Sequence, residues 1–180
     1  MPDPWYRCAL LSVLIVLALP ALARTADCPT LTVCFTPGGN CTQLIVQALH
    51  GAQRTVLVQA YSFTSAPIAK ALLDAHTRGV KVQVILDKSQ RTEKYFSADF
   101  VANEGMPTRI DANHAISHNK VIIIDGETVL TGSFNFTKAA QEKNAENLLI
   151  LHDPTVAVAY TKNWEAHQAH SQPYVGRGMR

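Results

Sequence analysis

The chain has 180 residues, 47% of them hydrophobic and 17% charged, with a net charge of +2. That length supplies one domain with a substantial core and is short for two. The balanced charge excludes global attraction as a way of holding a polyanion, so any such partner needs a local patch.

Arg7 precedes an apolar run from Cys8 to Leu19, which Pro20 ends. Ala21-Leu22-Ala23 then places small residues where a signal peptidase reads, so residues 1–23 are expected to be a secretory signal peptide and 24–180 a single domain. The run is shorter than the roughly 20 residues that span a bilayer, so no stable membrane association is expected after cleavage. A lipoprotein signal at Cys28 would need a small residue where Asp27 stands. Cleavage removes Asp3 and Arg7, one charge of each sign, and leaves the net charge unchanged. The expected location is periplasmic or secreted. Cys28, Cys34 and Cys41 then open the mature chain in an oxidising compartment, which suits one disulfide with its pairing left open. A zinc site there lacks a fourth ligand at finger-like spacing.

From Cys28 onward, strand and helix patterns alternate. Leu31 to Phe35 reads as a strand, stopped by Pro37-Gly38-Gly39. Thr42 to Ala52 carries Leu44, Ile45, Ala48 and Leu49 at helical spacing. Thr55 to Tyr61 is a β-branched strand. Ser65 then reads as an N-cap, with Pro67 in the first turn of a helix that ends at Gly79. Val80 to Leu86 is the next strand, and Thr92 to Glu104 a weaker helix stopped by Gly105 and Pro107. Asp111 to Ser117 reads as a loop. Strands Lys120–Ile124 and Thr128–Thr131 flank Asp125-Gly126, a hairpin signal. The segment from Phe136 to Asn144 has no clear period. A strand, Asn147–Leu151, and a helix, Pro154 to His170, follow, and the tail from Gln172 to Arg180 is expected to fray. Alternating elements of this kind predict an α/β fold, a mixed β-sheet sandwiched by helices.

The chemistry concentrates around one hairpin. His118 and Lys120 are two apart at the mouth of a strand, so their side chains share a face that Ile122 and Ile124 continue. Ser133 and Asn135 repeat the arrangement at the end of the next strand. The hairpin brings together an imidazole, an ammonium, a hydroxyl and an amide. That set suits a phosphate, with donors for its oxygens and a nucleophile or base for its phosphorus. Polar residues capping strand ends are the commoner meaning of a lone H-x-K, but they do not explain four suitable groups at one hairpin.

The residues His118, Lys120, Asp125, Gly132, Ser133 and Asn135 fill every fixed position of H-x-K-x4-D-x6-G-S-x-N. In this the chain resembles the phospholipase D superfamily, and its length and single motif are most similar to the small bacterial endonucleases within it. The resemblance implies a phospholipase D-like fold and a metal-independent phosphodiesterase, with no cofactor. It implies attack by His118 on phosphorus to form a phosphohistidine, with a second motif histidine protonating the leaving group. One motif per chain then implies a homodimer with a shared active site, where His118 serves as nucleophile in one subunit and acid in the other. Lys120 and Asn135 would hold phosphate oxygens, and Ser133 would support the phosphate or the histidine. Glu146 would accept from the imidazole and fix its tautomer. Asp125 is expected to tie the hairpin and neighbouring backbone N–H groups, and Gly132 to be structural.

Other residues are weaker candidates. His114 and His118 stand four apart but on a loop, which argues against a metal pair. His167 and His170, near a helix end, read as solvated. Asp87, Lys88 and Arg91 follow a strand and are either polyanion contacts or ordinary loop charges. Tyr61 could stack on a base, whereas Phe63 and Trp164 read as core. The expected substrate is nucleic acid, DNA first and RNA second. The rival readings are a phospholipase acting on phosphatidylcholine-type lipids, which in this family is usually longer and carries two motifs, and an inactive phosphate-binding module, which the intact His118 and Lys120 argue against.

Overall fold

A computed structural model describes residues 29–91 and 97–177. The expected signal peptide and Cys28 lie outside them. The strands are β1 (Thr30–Thr36), β2 (Thr55–Ala60), β3 (Lys81–Asp87), β4 (Thr108–Asp111), β5 (Lys120–Ile124), β6 (Thr128–Gly132), β7 (Glu146–His152) and β8 (Gln172–Tyr174). The helices are α1 (Cys41–Gly51), α2 (Ala66–Thr77), α3 (Ser97–Asn103), α4 (Lys138–Glu142) and α5 (Pro154–His170). One mixed sheet joins all eight strands in the order β1-β7-β6-β5-β2-β3-β4-β8.

Both faces of the sheet are covered, and strand alternation divides them. Ile122 and Ile124 of β5 join the larger core, packed under α1, α2 and α3 with Ile45, Leu49, Ile68, Leu72 and Val101. Val121 and Ile123 face the opposite way, with Ile85, Val129, Ala157 and Trp164 beneath α5. A strand so flanked must be apolar on both sides, which is why β5 reads as an unbroken run of Val and Ile. Trp164 Nε1 donates to the Val58 carbonyl at 2.9 Å, fixing α5 to the middle of the sheet. Asp153 caps α5, its side chain accepting from Thr155 N and Val156 N. Ser65 occupies the N-cap position of α2 without a side-chain cap bond. Cys34 and Cys41 form the disulfide, joining the end of β1 to the start of α1.

The structure departs from the sequence reading at one edge of the sheet. The tail expected to fray instead forms β8, paired antiparallel to β4 with Thr108 opposite Tyr174. Tyr174 is held there by a 2.7 Å bond from its hydroxyl to Asp99 Oδ1. Both strands are too short to show a period; β4 is held by parallel pairing to β3, and β8 exists because β4 offers it an edge. Asp111 belongs to β4 rather than to the following loop. The helix expected over 92–104 is described only as Ser97–Asn103, after a 3₁₀ turn at Lys88–Arg91. The unassigned stretch 136–144 contains the short helix α4, whose N-cap Thr137 accepts from Ala140 N.

Candidate active site

The topology gathers the candidate residues at one edge of the sheet. Strands β2, β3 and β4 run parallel, so Ala60, Asp87 and Asp111 end at the same side. β5 runs antiparallel to β2 and starts there, with Lys120 opposite Ala60. β6 ends at that side with Gly132, and β7 begins there with Glu146. The carboxyl ends of parallel strands are the usual place for a ligand crevice in such sheets.

Two short segments close the site. Tyr61 N donates to Asn119 O at 2.8 Å, and Thr64 N and Ser65 N both donate to Phe136 O at 2.9 Å. The turn after β2 thus touches the segment bearing His118 and the segment bearing Asn135. Phe63 and Phe136, both buried, pack edge to face below it. Gly132 lets the backbone approach closely: its φ is +146°, and a Cβ there would overlap the Asn147 carbonyl oxygen. Ser133 Oγ accepts from Asn147 N at 3.0 Å and from Asn147 Nδ2 at 3.2 Å. Asn135 Oδ1 is buried and has no hydrogen-bond partner among the described residues.

Lys120 is only 7% exposed. Its ammonium donates to the His118 carbonyl at 3.0 Å and stands 5.1 Å from the centre of the Tyr61 ring. Burial pushes its pKa down, and the Glu146 carboxylate opposes that shift. The His118 ring packs against Tyr61 at 4.6 Å and makes no hydrogen bond among the described residues. Glu146 accepts from Asn144 Nδ2 at 3.1 Å, so here it acts on Lys120 through its charge and is not bonded to the imidazole.

Asp125 sits at the opposite end of the hairpin, away from the ligand edge. Its φ is +57°, and its carboxylate accepts from Gln53 N, Arg54 N and Thr55 N at 2.7–2.9 Å. Burial alone would raise its pKa, but the three backbone N–H groups and the charge of Arg54 outweigh that and hold it below the ordinary carboxylate value.

His167 and His170 correct the sequence reading, and His114, which was not expected to pair with His118, joins them. All three imidazoles converge on Asp111, which is fully buried at the end of β4. Of the two helix histidines, expected to be solvated, His167 is half-buried and His170 stays exposed, yet both turn toward Asp111 where the last turn of α5 packs on the carboxyl end of β4. Burial pushes the Asp111 pKa up, but bonds from His167, His114, the Asn113 N–H and His170 hold it far below the usual range. The nearby charges are likewise engaged within the chain. Asp87 accepts from Ser89 N and Ser117 N, Lys88 donates to His114 O, and Arg91 donates to Gln172.

A family model described as cardiolipin synthase, PLD-like domain, matches residues 45–168. The chain belongs to the phospholipase D superfamily. Among its superfamily relatives, a phospholipase D of Rickettsia typhi is 40% identical over 152 residues, 84% of this chain and 72% of that protein. A mitochondrial cardiolipin hydrolase of Xenopus laevis is 37% identical over 124 residues, 69% of this chain and 59% of that one. The crystal structure of Nuc, a phospholipase D family member from Salmonella typhimurium, superimposes with a TM-score of 0.79 at 38% identity. That match covers 82% of this chain and 99% of Nuc. No helix among the described residues is long and apolar enough to cross a membrane.

Proposed function

We propose that the chain is an exported phosphodiesterase that hydrolyses nucleic acid through a phosphohistidine, at a site shared by two copies. The observation that carries this reading is Lys120, a residue only 7% exposed whose ammonium makes a single hydrogen bond among the described residues, to the His118 carbonyl. An ammonium has three donors, and burying it under-satisfied is unfavourable. A phosphodiester brought against it provides further acceptors, beside an imidazole that makes no hydrogen bond among the described residues.

In the proposed reaction His118 of one copy attacks phosphorus. The P–N bond forms as the P–O bond to the leaving group breaks, and the imidazolium of the second His118 gives that oxygen its proton. The second histidine, now neutral, takes a proton from water as the water oxygen attacks the phosphohistidine. The P–N bond breaks, and a phosphate monoester and an alcohol result. Lys120, the Asn135 amide and the Ser133 hydroxyl hold the non-bridging oxygens, and Glu146 keeps Lys120 charged. Two lysines with neutral donors meet the developing charge, so the chemistry runs without a metal ion.

An apolar strip supports docking of a second copy. Leu31, Val33 and Phe35 share one face of edge strand β1 and are 58%, 48% and 66% exposed. They lie opposite Leu151, Leu149 and Asn147 of β7. Asn147 is bonded to Ser133, so the strip reaches the motif. A lone edge strand with such a face invites a partner.

A lipid substrate is the second reading. It is favoured by Ile116, an apolar side chain 56% exposed on the loop that carries His118, and by relatives named phospholipase D and cardiolipin hydrolase. The test is purified mature protein on supercoiled plasmid DNA and on phosphatidylcholine vesicles, both in EDTA, beside the His118→Asn variant. DNA nicking that the variant lacks is expected. Choline release without nicking would select the lipid reading, and inactivity on both would defeat the phosphodiesterase.

A further inference from the structure

Asp111, His114, His167 and His170 form a second cluster of chemistry-bearing groups, outside the motif. His167 Nδ1 lies 2.8 Å from Asp111 Oδ2, and His114 Nδ1 lies 3.1 Å from the same oxygen. His170 Nε2 lies 3.3 Å from Asp111 Oδ1. The three rings stand 5.0–5.3 Å apart, centroid to centroid. One donor atom from each of the four residues can be chosen so that all lie within 4.8 Å of one another.

One imidazole would be enough to pair a buried carboxylate. Here three, from two separate elements, are turned toward it. His167 and His170 are three apart on α5, so they share one face of the helix. His114 comes from the loop after β4. A tetrahedral zinc ion with bonds of about 2.0–2.1 Å places its ligand atoms roughly 3.3 Å apart. The cluster therefore needs only a modest contraction, which the half-exposed His114 side chain can supply. Three imidazoles and one carboxylate are borderline ligands that suit zinc and disfavour calcium or magnesium, which prefer oxygen.

We infer that these four residues bind a structural zinc-class divalent ion. Its ligand set is complete without water, so it takes no part in the phosphodiester chemistry. It fastens the last turn of α5 to the sheet and holds the loop 112–117, whose next residue is His118. That loop is already tied by Lys88 Nζ to His114 O at 2.9 Å and by Ser117 N to Asp87 Oδ2 at 2.7 Å. The ion adds a third tie to the segment that positions the motif.

The experiment reads metal, not activity, so it stands or falls apart from the proposed reaction. Purified mature protein, free of affinity tag, is equilibrated with zinc, passed through a desalting column and assayed for metal by mass spectrometry. One zinc per chain is expected, with a melting temperature raised by about 5–10 °C when zinc is a hundredfold above its Kd. Cys28→Ser should retain the ion, which separates this site from thiol binding. His167→Ala/His170→Ala should lose both the ion and the thermal shift. If that double variant does not fold, His114→Gln, on an exposed loop position, should still fold and bind zinc at least tenfold more weakly. A wild-type protein that leaves the column without zinc, or variants that keep wild-type zinc content, would overturn the inference.

Discussion

The Tyr61 ring packs against the His118 imidazole at 4.6 Å, tilted by 59°, and presents its face to the Lys120 ammonium at 5.1 Å. One aromatic ring thus sets the position of both motif side chains. Tyr61 is a positioning residue in this account. Ring contacts of this kind contribute about 1–2 kcal/mol, so Tyr61→Ala should lower kcat on DNA roughly tenfold with KM little changed. Tyr61→Phe keeps the ring and should restore most of kcat. Steady-state kinetics of the pair check this, and unchanged kcat in the alanine variant would reduce Tyr61 to packing.

Lys120→Met should separate stability from activity. Activity should fall about 10²-fold or more, as for loss of one transition-state donor. Stability at pH 7 should rise by about 1 kcal/mol, because an under-satisfied buried charge gives way to an apolar chain of similar length. Burial lowers the folded pKa of Lys120, so the penalty of its charge is fully present below that value. It fades as pH rises toward the unfolded value near 10.4, and the stability gap between variant and wild type should close over that window. Urea melts at several pH values test this, and a methionine variant less stable than wild type at pH 7 would contradict it.

Asp125→Asn tests the hairpin tie at the far end of the same strands. Asparagine tolerates the positive φ, so the substitution keeps the turn and removes the charge together with one of the two accepting oxygens. The depressed pKa stabilises the protein above the unfolded value near 3.9 and ceases to do so as pH falls through the lower folded value. The variant should be about 1–2 kcal/mol less stable at pH 7, with the difference vanishing in acid. Thermal melts from pH 7 to 3 measure this, and a difference that persists in acid would point to shape rather than charge.

Gly132→Ala should damage fold and activity together. The backbone there has φ +146°, and the new methyl would meet the Asn147 carbonyl. Strain of about 2 kcal/mol falls on the turn that sets Ser133, so denaturation midpoint and DNA cleavage should both drop. A variant with wild-type values of both would show that this turn can relax.

The sequence was most informative where periodicity and motif coincide. The double-sided apolar run of β5, the Asp125-Gly126 turn and the extent of α5 each have a local cause, and each stands near its expected place. What depends on distant pairing could not be read. β4 is placed by parallel pairing to β3, and β8 by pairing to β4 across more than 60 residues of chain, as Thr108–Tyr174, Arg109–Pro173 and Ile110–Gln172 show. The histidine cluster has the same origin. Asp111 and His167 are 56 positions apart, and nothing in the spacing of His167 and His170 says which strand end the helix will reach. The i, i+3 histidine pair was the available signal, and it carries meaning only once the opposing carboxylate is placed. At the motif, the sequence named groups that the fold brings to one end of the sheet, whereas Tyr61 as a shared contact of His118 and Lys120 emerges only from the end of β2 abutting Asn119.

The central claim is that two copies of one motif make one site, and the mixed dimer tests it most directly. Wild type and His118→Asn are given different tags, coexpressed, and the heterodimer is isolated through both. With a shared site every heterodimer lacks either the nucleophile or the acid, so DNA cleavage should be nearly abolished. Independent sites would leave about half of wild-type activity, and that result would contradict the account.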